Sequence, residues 1–215
     1  MTRTSRPYYD LRMTTLQIDT PHGEARVELH NAPESRAALL LGHGAGGGVH
    51  APDLVAATRA AQGVGVDVAL VEQPYRVAGR RMQPSAAQLD TAWLAVADEL
   101  GRRTFDGLPL LFGGRSAGAR VACRTAADGG AVAVLCLAFP VHPPGRPEKS
   151  RLPELRAVPV PVLVVQGERD PFGRPEPAHH QELVLLAGDH SLMSDLDGVS
   201  RAVGEWLNRV LRPLD

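Results

Sequence analysis

The pattern of hydrophobic and polar positions changes once along the chain, and the change separates two kinds of predicted strand. In the first part, the segments TTLQID and ARVELH alternate between apolar and polar positions. In ARVELH the two faces consist of Ala25, Val27 and Leu29 on one side and Arg26, Glu28 and His30 on the other. This alternation is typical of half-exposed strands. With the PHG turn between them, the two segments predict an antiparallel hairpin at a sheet edge.

From residue 37 onward, strands are predicted from continuous apolar runs. The runs are AALLLG (37–42), DVALVEQ (67–73), PLLFGG (109–114), AVAVLCLAF (131–139), PVLVVQG (161–167) and ELVLLAG (182–188). Such runs are typical of parallel strands that are covered on both faces. Helices are predicted over residues 52–62, 85–101, 116–127 and 198–211, with Asp53 and Pro84-Ser85 as helix starts. The fold class predicted is therefore α/β: a mostly parallel sheet with helices on both faces and an N-terminal antiparallel edge hairpin.

Composition and charge indicate which partners and which cellular location to expect. The 215 residues carry a formal net charge of −1, so we expect no nucleic-acid partner and no membrane partner. Cys123 and Cys136 have no metal-ligand spacing and are predicted to be buried free thiols. No signal-peptide pattern or membrane-length apolar run is present, which predicts a cytoplasmic protein. Residues 1–12 are predicted to form a flexible tail and residues 13–215 a single domain without a helical lid. The sequence carries no signal for an oligomeric state.

The pentapeptide Gly114-Arg115-Ser116-Ala117-Gly118 follows a predicted strand and precedes a predicted helix. This is the context of a nucleophile elbow, in which a sharp turn presents a serine at the strand tip. Side chains larger than hydrogen two residues before or after the serine would collide with neighbouring chain. A glycine-rich turn with an incidental serine is the alternative for these five residues alone.

A serine nucleophile needs a base, and the base needs an acid that orients it. Asp170 lies in a turn after PVLVVQG, and His190 lies after ELVLLAG, so both follow predicted strands in the order Ser, acid, His. Parallel sheets place their sites at these carboxyl ends. The sequence thus predicts Ser116 as nucleophile, His190 as base and Asp170 as acid. Glu168 is the runner-up acid, and Asp189 is less favoured because it adjoins His190.

The glycine-rich segment after the first parallel strand, His43 to Gly48, predicts the second half of an oxyanion hole. The amides expected to act are those of Ala117 and Ala45, with Gly46 as a further candidate. His43 is expected to form structural hydrogen bonds. The same segment offers a competing interpretation from another class. Gly42, Gly44 and Gly47 match the GxGxxG pattern of nicotinamide-dependent oxidoreductases, and Glu72 ends the next strand, but this pattern leaves the elbow, Asp170 and His190 unexplained.

Five segments together resemble small α/β-hydrolases of the dienelactone-hydrolase-like kind that lack a lid. They are the HGAG loop at 43–46, the elbow with its following arginine at 113–120, HPPGRP at 142–147, QGERDPFG at 166–173 and GDHS at 188–191. The resemblance covers nearly everything from about residue 14 onward. It implies the α/β-hydrolase fold and the same three catalytic residues. Ala117 departs from the pattern, since many relatives carry Met there, and some relatives act as scaffold-like domains.

The function predicted is a serine hydrolase that cleaves a small ester or thioester through an acyl-enzyme, without a metal or organic cofactor. A non-catalytic binding domain with the same fold is the main alternative. The interval between Phe139 and Pro161 is too short for a helical cap, so a shallow site is expected. Arg115, Gly46 and His142 are candidate contacts for the substrate. Arg115, Arg146, Lys149 and Arg151 could together attract an anionic substrate, although a solvated basic surface is the slightly favoured interpretation. Arg120 is expected to brace the elbow through a charge pair.

Overall fold

The computed structural model describes residues 14–212 except residue 177, so the tail predicted over residues 1–12 lies outside the described part. Strands and helices alternate along the chain. The strands are β1 (Thr14–Thr20), β2 (Gly23–His30), β3 (Ala37–Gly42), β4 (Val66–Glu72), β5 (Leu110–Arg115), β6 (Ala133–Leu137), β7 (Val162–Gly167) and β8 (Gln181–Leu186). The helices are α1 (Pro52–Gln62), α2 (Pro74–Val77), α3 (Ala86–Arg103), α4 (Ala117–Thr125), α5 (Leu152–Arg156) and α6 (Leu196–Leu211).

All eight strands form one sheet in the order β1-β2-β4-β3-β5-β6-β7-β8. β2 pairs antiparallel with both β1 and β4, whereas every pair from β4 to β8 is parallel. The predicted edge hairpin and mostly parallel sheet are therefore confirmed. The chain leaves β3 toward β4 on one side and returns to β5 on the other. This reversal makes a topological switch point at the carboxyl ends of β3 and β5, where α/β sheets bind their ligands.

Two apolar clusters cover the two faces of the sheet. One includes Trp93 and Phe112, whose rings meet edge to face at 5.5 Å, and it lies under α3, α4 and α5. The other includes Leu54 and Trp206 and lies under α1 and α6. Because both faces are buried, the inner strands can be apolar throughout, as their runs predicted. β8 differs, since it is an edge strand and Leu185 on it is 42% exposed.

Local signals set most helix starts. Ser85 caps α3 in a capping box with Gln88, as the Pro84-Ser85 start predicted. Pro52 opens α1, and Asp53 lies in its first turn. α6 begins two residues earlier than predicted because the Asp195 side chain accepts a hydrogen bond from the Gly198 amide at 2.7 Å. The sequence missed the short helices α2 and α5, and α5 lies within the interval between Phe139 and Pro161.

Candidate active site

Ser116 occupies the sharp turn between β5 and α4. Its backbone has φ 54° and ψ −108°, a strained conformation for a residue with a side chain, and its amide donates to Leu137 O at 2.9 Å. A Cβ placed on Gly114 would lie 2.6 Å from Gly42 O, and one on Gly118 would collide with the same oxygen. Glycine is therefore required at both positions, because β3 passes directly beside the turn. The predicted elbow geometry is present.

The three residues that the sequence proposed as a triad lie within hydrogen-bond distance of one another. His190 Nε2 is 2.9 Å from Ser116 Oγ, and His190 Nδ1 is 2.7 Å from Asp170 Oδ2. An ionised carboxylate can only accept, so Nδ1 carries the proton and Nε2 is left to accept from the serine hydroxyl. Asp170 is buried, whereas Ser116 and His190 are partly exposed. The arrangement allows a proton to pass from Ser116 to His190 without any movement of the backbone.

Asp170 is held by donors that fix both of its oxygens. Its Oδ1 accepts from the Phe172 amide at 2.8 Å, and its Oδ2 lies 2.7 Å from Gln166 Nε2. That same amide nitrogen is within reach of Phe139 O at 3.1 Å and Gly173 O at 2.8 Å. Gln166 thus ties the end of β7 to the loop after it. Sequence reasoning missed this role, although a glutamine inside the buried run PVLVVQG must find partners.

The alternative acids lie elsewhere. Glu168 is exposed, and Asp189 is exposed and turned toward Ser191, whose amide and hydroxyl both donate to it. These hydrogen bonds lower the pKa of Asp189. Neither carboxylate contacts His190 through its side chain in the described hydrogen bonds. The geometry therefore favours Asp170 over both.

An aromatic ring covers the candidate base, His190. Phe172 stacks on the His190 ring, with ring centroids 4.1 Å apart and an interplanar angle of 31°. Phe172 lies in the loop after β7. The amide of His142 donates to Phe172 O at 3.0 Å and so contacts this loop. The His142 ring lies 2.9 Å from Pro143 O through Nδ1. His142 therefore contacts the loop that carries Phe172, and none of the described hydrogen bonds joins His142 to Ser116, His190 or Asp170.

The oxyanion loop, residues 43–48, lies against the elbow. A Cβ placed on Gly44 would be 3.6 Å from Ser116 Cβ. The buried His43 anchors the loop, because its Nε2 accepts from the Gln73 amide at 3.1 Å and its Nδ1 faces Gly44 O at 2.8 Å. Burial lowers the pKa of His43, which favours this neutral ring. His43 thus has the structural hydrogen bonds that the sequence predicted for it.

The two amides predicted to hold an oxyanion belong to Ala117, at the start of α4, and Ala45, in the loop after β3. Ala117 is the first residue of α4, where a helix leaves its N–H groups without intrahelical acceptors. Ala45 is partly exposed, and Tyr75 Oη lies 3.5 Å from its carbonyl oxygen. Gly46 is exposed, and a Cβ placed on it would have no heavy atom within 4 Å. The loop after β3 and the start of α4 therefore meet at the switch point of the sheet.

Some of the basic residues near the site form ion pairs within the protein, and others are exposed to solvent. Arg115 uses its guanidinium inside the protein, where Nε lies 2.8 Å from Asp53 Oδ2 and Nη2 donates to His190 O at 3.1 Å. Arg146 and Lys149 are exposed on the loop after β6. Arg120 pairs with Glu154 of α5 through two of its nitrogens, so the charge pair expected beside the elbow is present.

A cavity of about 280 Å³ lies at the same edge of the sheet, on the oxyanion-loop side. It is enclosed by the β1–β2 turn, α2 and the start of α3, and Gln73 and Tyr75 form its inner wall. A smaller cavity shares those two residues and reaches Ala117 and Gly118. Among the described residues no cluster of three His, Cys, Asp or Glu side chains is placed to hold a metal ion.

Comparison with known proteins gives the family. The sequence matches the family model described as "Alpha/beta hydrolase domain" over residues 35–200, which is most of the chain. The protein belongs to the α/β-hydrolase domain family. The match spans the elbow, Asp170 and His190, and it replaces the oxidoreductase interpretation of the glycines at 42–47. A search of curated proteins found none that matches the sequence.

Several solved structures share this fold. A serine hydrolase without a lid from Xanthomonas campestris has 21% identity and a TM-score of 0.76, over 95% of this chain and 97% of that one. Dienelactone hydrolase from Anabaena variabilis has 16% identity and a TM-score of 0.73, over 92% and 97%. Est1E from Butyrivibrio proteoclasticus, solved with ferulic acid bound, has 18% identity and a TM-score of 0.73, over 91% and 99%. The resemblance to dienelactone-hydrolase-like proteins is confirmed at the level of fold and family.

Within residues 14–212, leaving out 177, no helix combines the length and the apolar character that crossing a bilayer requires.

Proposed function

We propose that this α/β-hydrolase cleaves a small ester or thioester through an acyl-enzyme, with Ser116 as nucleophile, His190 as base and Asp170 as acid. The continuous line of hydrogen bonds from Ser116 Oγ through the His190 ring to Asp170 Oδ2 is the observation that supports it most. A nucleophile, a base and an orienting acid within hydrogen-bond reach are what acyl transfer by a serine needs.

In the first step, Ser116 Oγ attacks the substrate carbonyl carbon while His190 Nε2 takes the hydroxyl proton. The carbonyl oxygen becomes negatively charged, and the amides of Ala117 and Ala45 donate to it. The start of α4 adds a favourable field, because a helix N-terminus stabilises negative charge. When the tetrahedral intermediate collapses, His190 gives its proton to the departing alcohol or thiol. Asp170 stabilises the charged ring throughout and keeps it in the required orientation.

In the second step, water replaces the leaving group. His190 takes a proton from the water as it attacks the acyl carbonyl, and the same two amides hold the new oxyanion. Collapse of this intermediate breaks the bond to Ser116 Oγ, which regains a proton from His190. The products are the free acid and the unchanged enzyme, and no step needs a metal or an organic cofactor.

The surroundings of Ser116 support a small substrate. Ser116 and His190 are both partly exposed, and the interval between β6 and β7 contains only the five-residue helix α5. α5 packs against α4 through the Arg120–Glu154 pair and does not cover the elbow. A long acyl chain would find little apolar cover here. The ferulic acid bound to Est1E makes short aromatic esters a reasonable addition to a panel of short acyl esters and thioesters.

A fluorophosphonate probe tests the proposal. The Ser116 oxygen would form a bond to phosphorus, fluoride would leave and His190 would take the hydroxyl proton, so the protein gains the mass of the phosphonyl group. We expect labelling of the wild-type protein, none of Ser116→Ala, and unchanged labelling of Ser150→Ala, whose serine lies exposed in the loop after β6. His190→Ala should lower ester turnover by about three orders of magnitude or more.

Two results would contradict the proposal. A folded wild-type protein that is neither labelled nor able to hydrolyse any member of the ester and thioester panel would favour a non-catalytic binding domain. A loss of tenfold or less in His190→Ala would mean that another group is the base.

A further inference from the structure

The guanidinium of Arg115 links three segments of the candidate site. Arg115 directly precedes Ser116, so it is part of the elbow itself. Its Nε lies 2.8 Å from Asp53 Oδ2, and its Nη2 donates to the carbonyl oxygen of His190 at 3.1 Å. A Cβ placed on Gly44 would lie 3.0 Å from Arg115 Nη1, so the same group also packs against the oxyanion loop.

The partner of Arg115 is a buried charge. The Asp53 side chain is 0% exposed, and the Arg115 side chain is 19% exposed. Burial raises the pKa of Asp53, and the positive charge of Arg115 opposes that rise. Asp53 sits in the first turn of α1, the helix that begins shortly after the oxyanion loop. The ion pair therefore fixes the far end of that loop to the residue before the nucleophile.

The second contact fixes the base. The His190 carbonyl is a backbone group of the loop that follows β8, and this loop has few other ties to the elbow in the described hydrogen bonds beyond the Ser116–His190 pair itself. A donor on this carbonyl restrains the backbone from which the imidazole extends. A planar group with several N–H donors in fixed directions can contact a carboxylate on α1 and a carbonyl on the loop after β8 at the same time.

We infer that Arg115 is a positioning residue that sets the base loop and the oxyanion loop at their working distances from Ser116. The inference rests on the proposed function. It differs from the sequence-based expectation that Arg115 contacts the substrate, because two of its nitrogens are engaged by Asp53 and His190. Displacement of reacting groups by about 1 Å can cost about a hundredfold in rate, so a residue without substrate contact can control turnover.

Replacement of Arg115 tests this role through kcat and KM. We expect Arg115→Gln to lower kcat by about 10- to 100-fold on a neutral short-chain ester, with KM changed less than about twofold. Arg115→Lys keeps the charge but lacks the planar fork, so it should recover most of the lost thermal stability and only part of kcat. A neutral ester and an ester with a free carboxylate should respond alike.

Arg124→Gln is the matched control. Arg124 lies on α4, its side chain is 17% exposed, and it pairs with Asp90 and Glu154 at 2.6 and 3.2 Å, away from the loops of the site. It should lose stability to a similar degree with kcat unchanged at temperatures where the variant is folded. If Arg115→Gln keeps wild-type kcat, or if kcat falls equally in both variants, the positioning role is wrong. A rise in KM confined to the anionic ester would assign Arg115 to substrate binding instead.

Asp53→Asn provides a second variant if Arg115→Gln does not fold. It removes the carboxylate charge while leaving Arg115, and it should lower kcat in the same direction by a smaller factor.

The NMR signal of the His190 Nδ1 proton should shift in Arg115→Gln and remain in place in Arg124→Gln, since only the first change frees the His190 backbone. An unmoved signal would contradict the inference. Absence of fluorophosphonate labelling in the wild-type protein would instead overturn the proposed function.

Discussion

The two sides of the candidate site are held in place by different parts of the chain. On the base side, formed by the loops after β7 and β8, side chains hold one another: His190 bonds to Asp170, and Asp170 also accepts from Gln166. On the oxyanion side, formed by the loop after β3 and the start of α4, the groups proposed to act are backbone amides. Their positions depend on how closely the chain passes at Gly44 and Gly118.

This difference predicts how each side responds to substitution. Asp170 has three donors, from His190, Gln166 and the Phe172 amide, so loss of one leaves the other two in place. An oxyanion has no such reserve, because only two amides are proposed to donate to it. A substitution that removes an oxyanion amide should therefore cost more turnover than one that removes only the Gln166 hydrogen bond to Asp170.

Among the substitutions that compare the two sides, the largest effect is expected for Ala45→Pro, which removes the N–H proposed to hold the oxyanion. Ala45 does not have a positive φ, so proline is compatible with the sign of that angle. Loss of one oxyanion donor typically costs about 10²- to 10³-fold in kcat, and we expect a loss in that range on a short acyl ester. Steady-state kinetics together with the thermal midpoint would measure it.

Gly46→Pro is the control for the same loop, because Gly46 is the other candidate donor. We expect it to lose less than about tenfold, since its amide is not the one proposed to act. The opposite order, with the larger loss at Gly46, would assign the donor to Gly46. Two small losses would show that the loop after β3 does not supply the second donor.

Gln166→Leu should have a smaller effect, on the base side. The substitution removes a donor from Asp170 Oδ2 and leaves Phe139 O and Gly173 O without that partner. A hydrogen bond to a charged group contributes about 1.5–3 kcal/mol, and Asp170 keeps two other donors. We therefore expect kcat to fall about tenfold, with a drop in the free energy of unfolding.

Gln181→Leu separates these two consequences. Gln181 is also buried, and its Nε2 donates to Leu155 O at 2.9 Å, far from the elbow along the chain and outside the described contacts of the triad. It should lose comparable stability in urea unfolding and keep wild-type kcat. Equal kcat values in the two variants would mean that Gln166 supports the fold but does not position Asp170.

The sequence predicted much of this arrangement because each part of it has a local signal. A strand followed by glycines around a serine predicted the elbow, and the apolar runs predicted strands after which Asp170 and His190 would follow. Helix boundaries differed by a few residues where capping decides them, as at Asp195. The short helices α2 and α5 were not predicted, because four or five residues are too few to show a hydrophobic period.

The contacts that the sequence did not predict are those between distant positions. The Arg115–Asp53 pair joins residues on β5 and α1, and neither has a local pattern that indicates the other. The dual role of Gln166 likewise depends on the path of the loop after β7. Such pairings follow from the tertiary arrangement alone, so residue type could suggest that Arg115 was functional but could not say what it contacts.

The smallest expected effect concerns Asp53, the buried carboxylate that pairs with Arg115. Burial raises the pKa of Asp53 above its ordinary value of 3.8, and Arg115 offsets this only in part. The folded protein therefore binds this proton more readily than the unfolded chain does. As the pH rises from 3.8 through the folded-state pKa, the Asp53 contribution to stability decreases, and above that pKa it is constant.

Asp53→Asn removes the dependence, so the stability of the wild type relative to this variant should be greater near pH 4 than at pH 7. Urea unfolding of both proteins across this range measures the difference, in which the contributions of groups that the two proteins share cancel. A difference that is flat, or that grows with pH, would show that Arg115 fully compensates the buried charge.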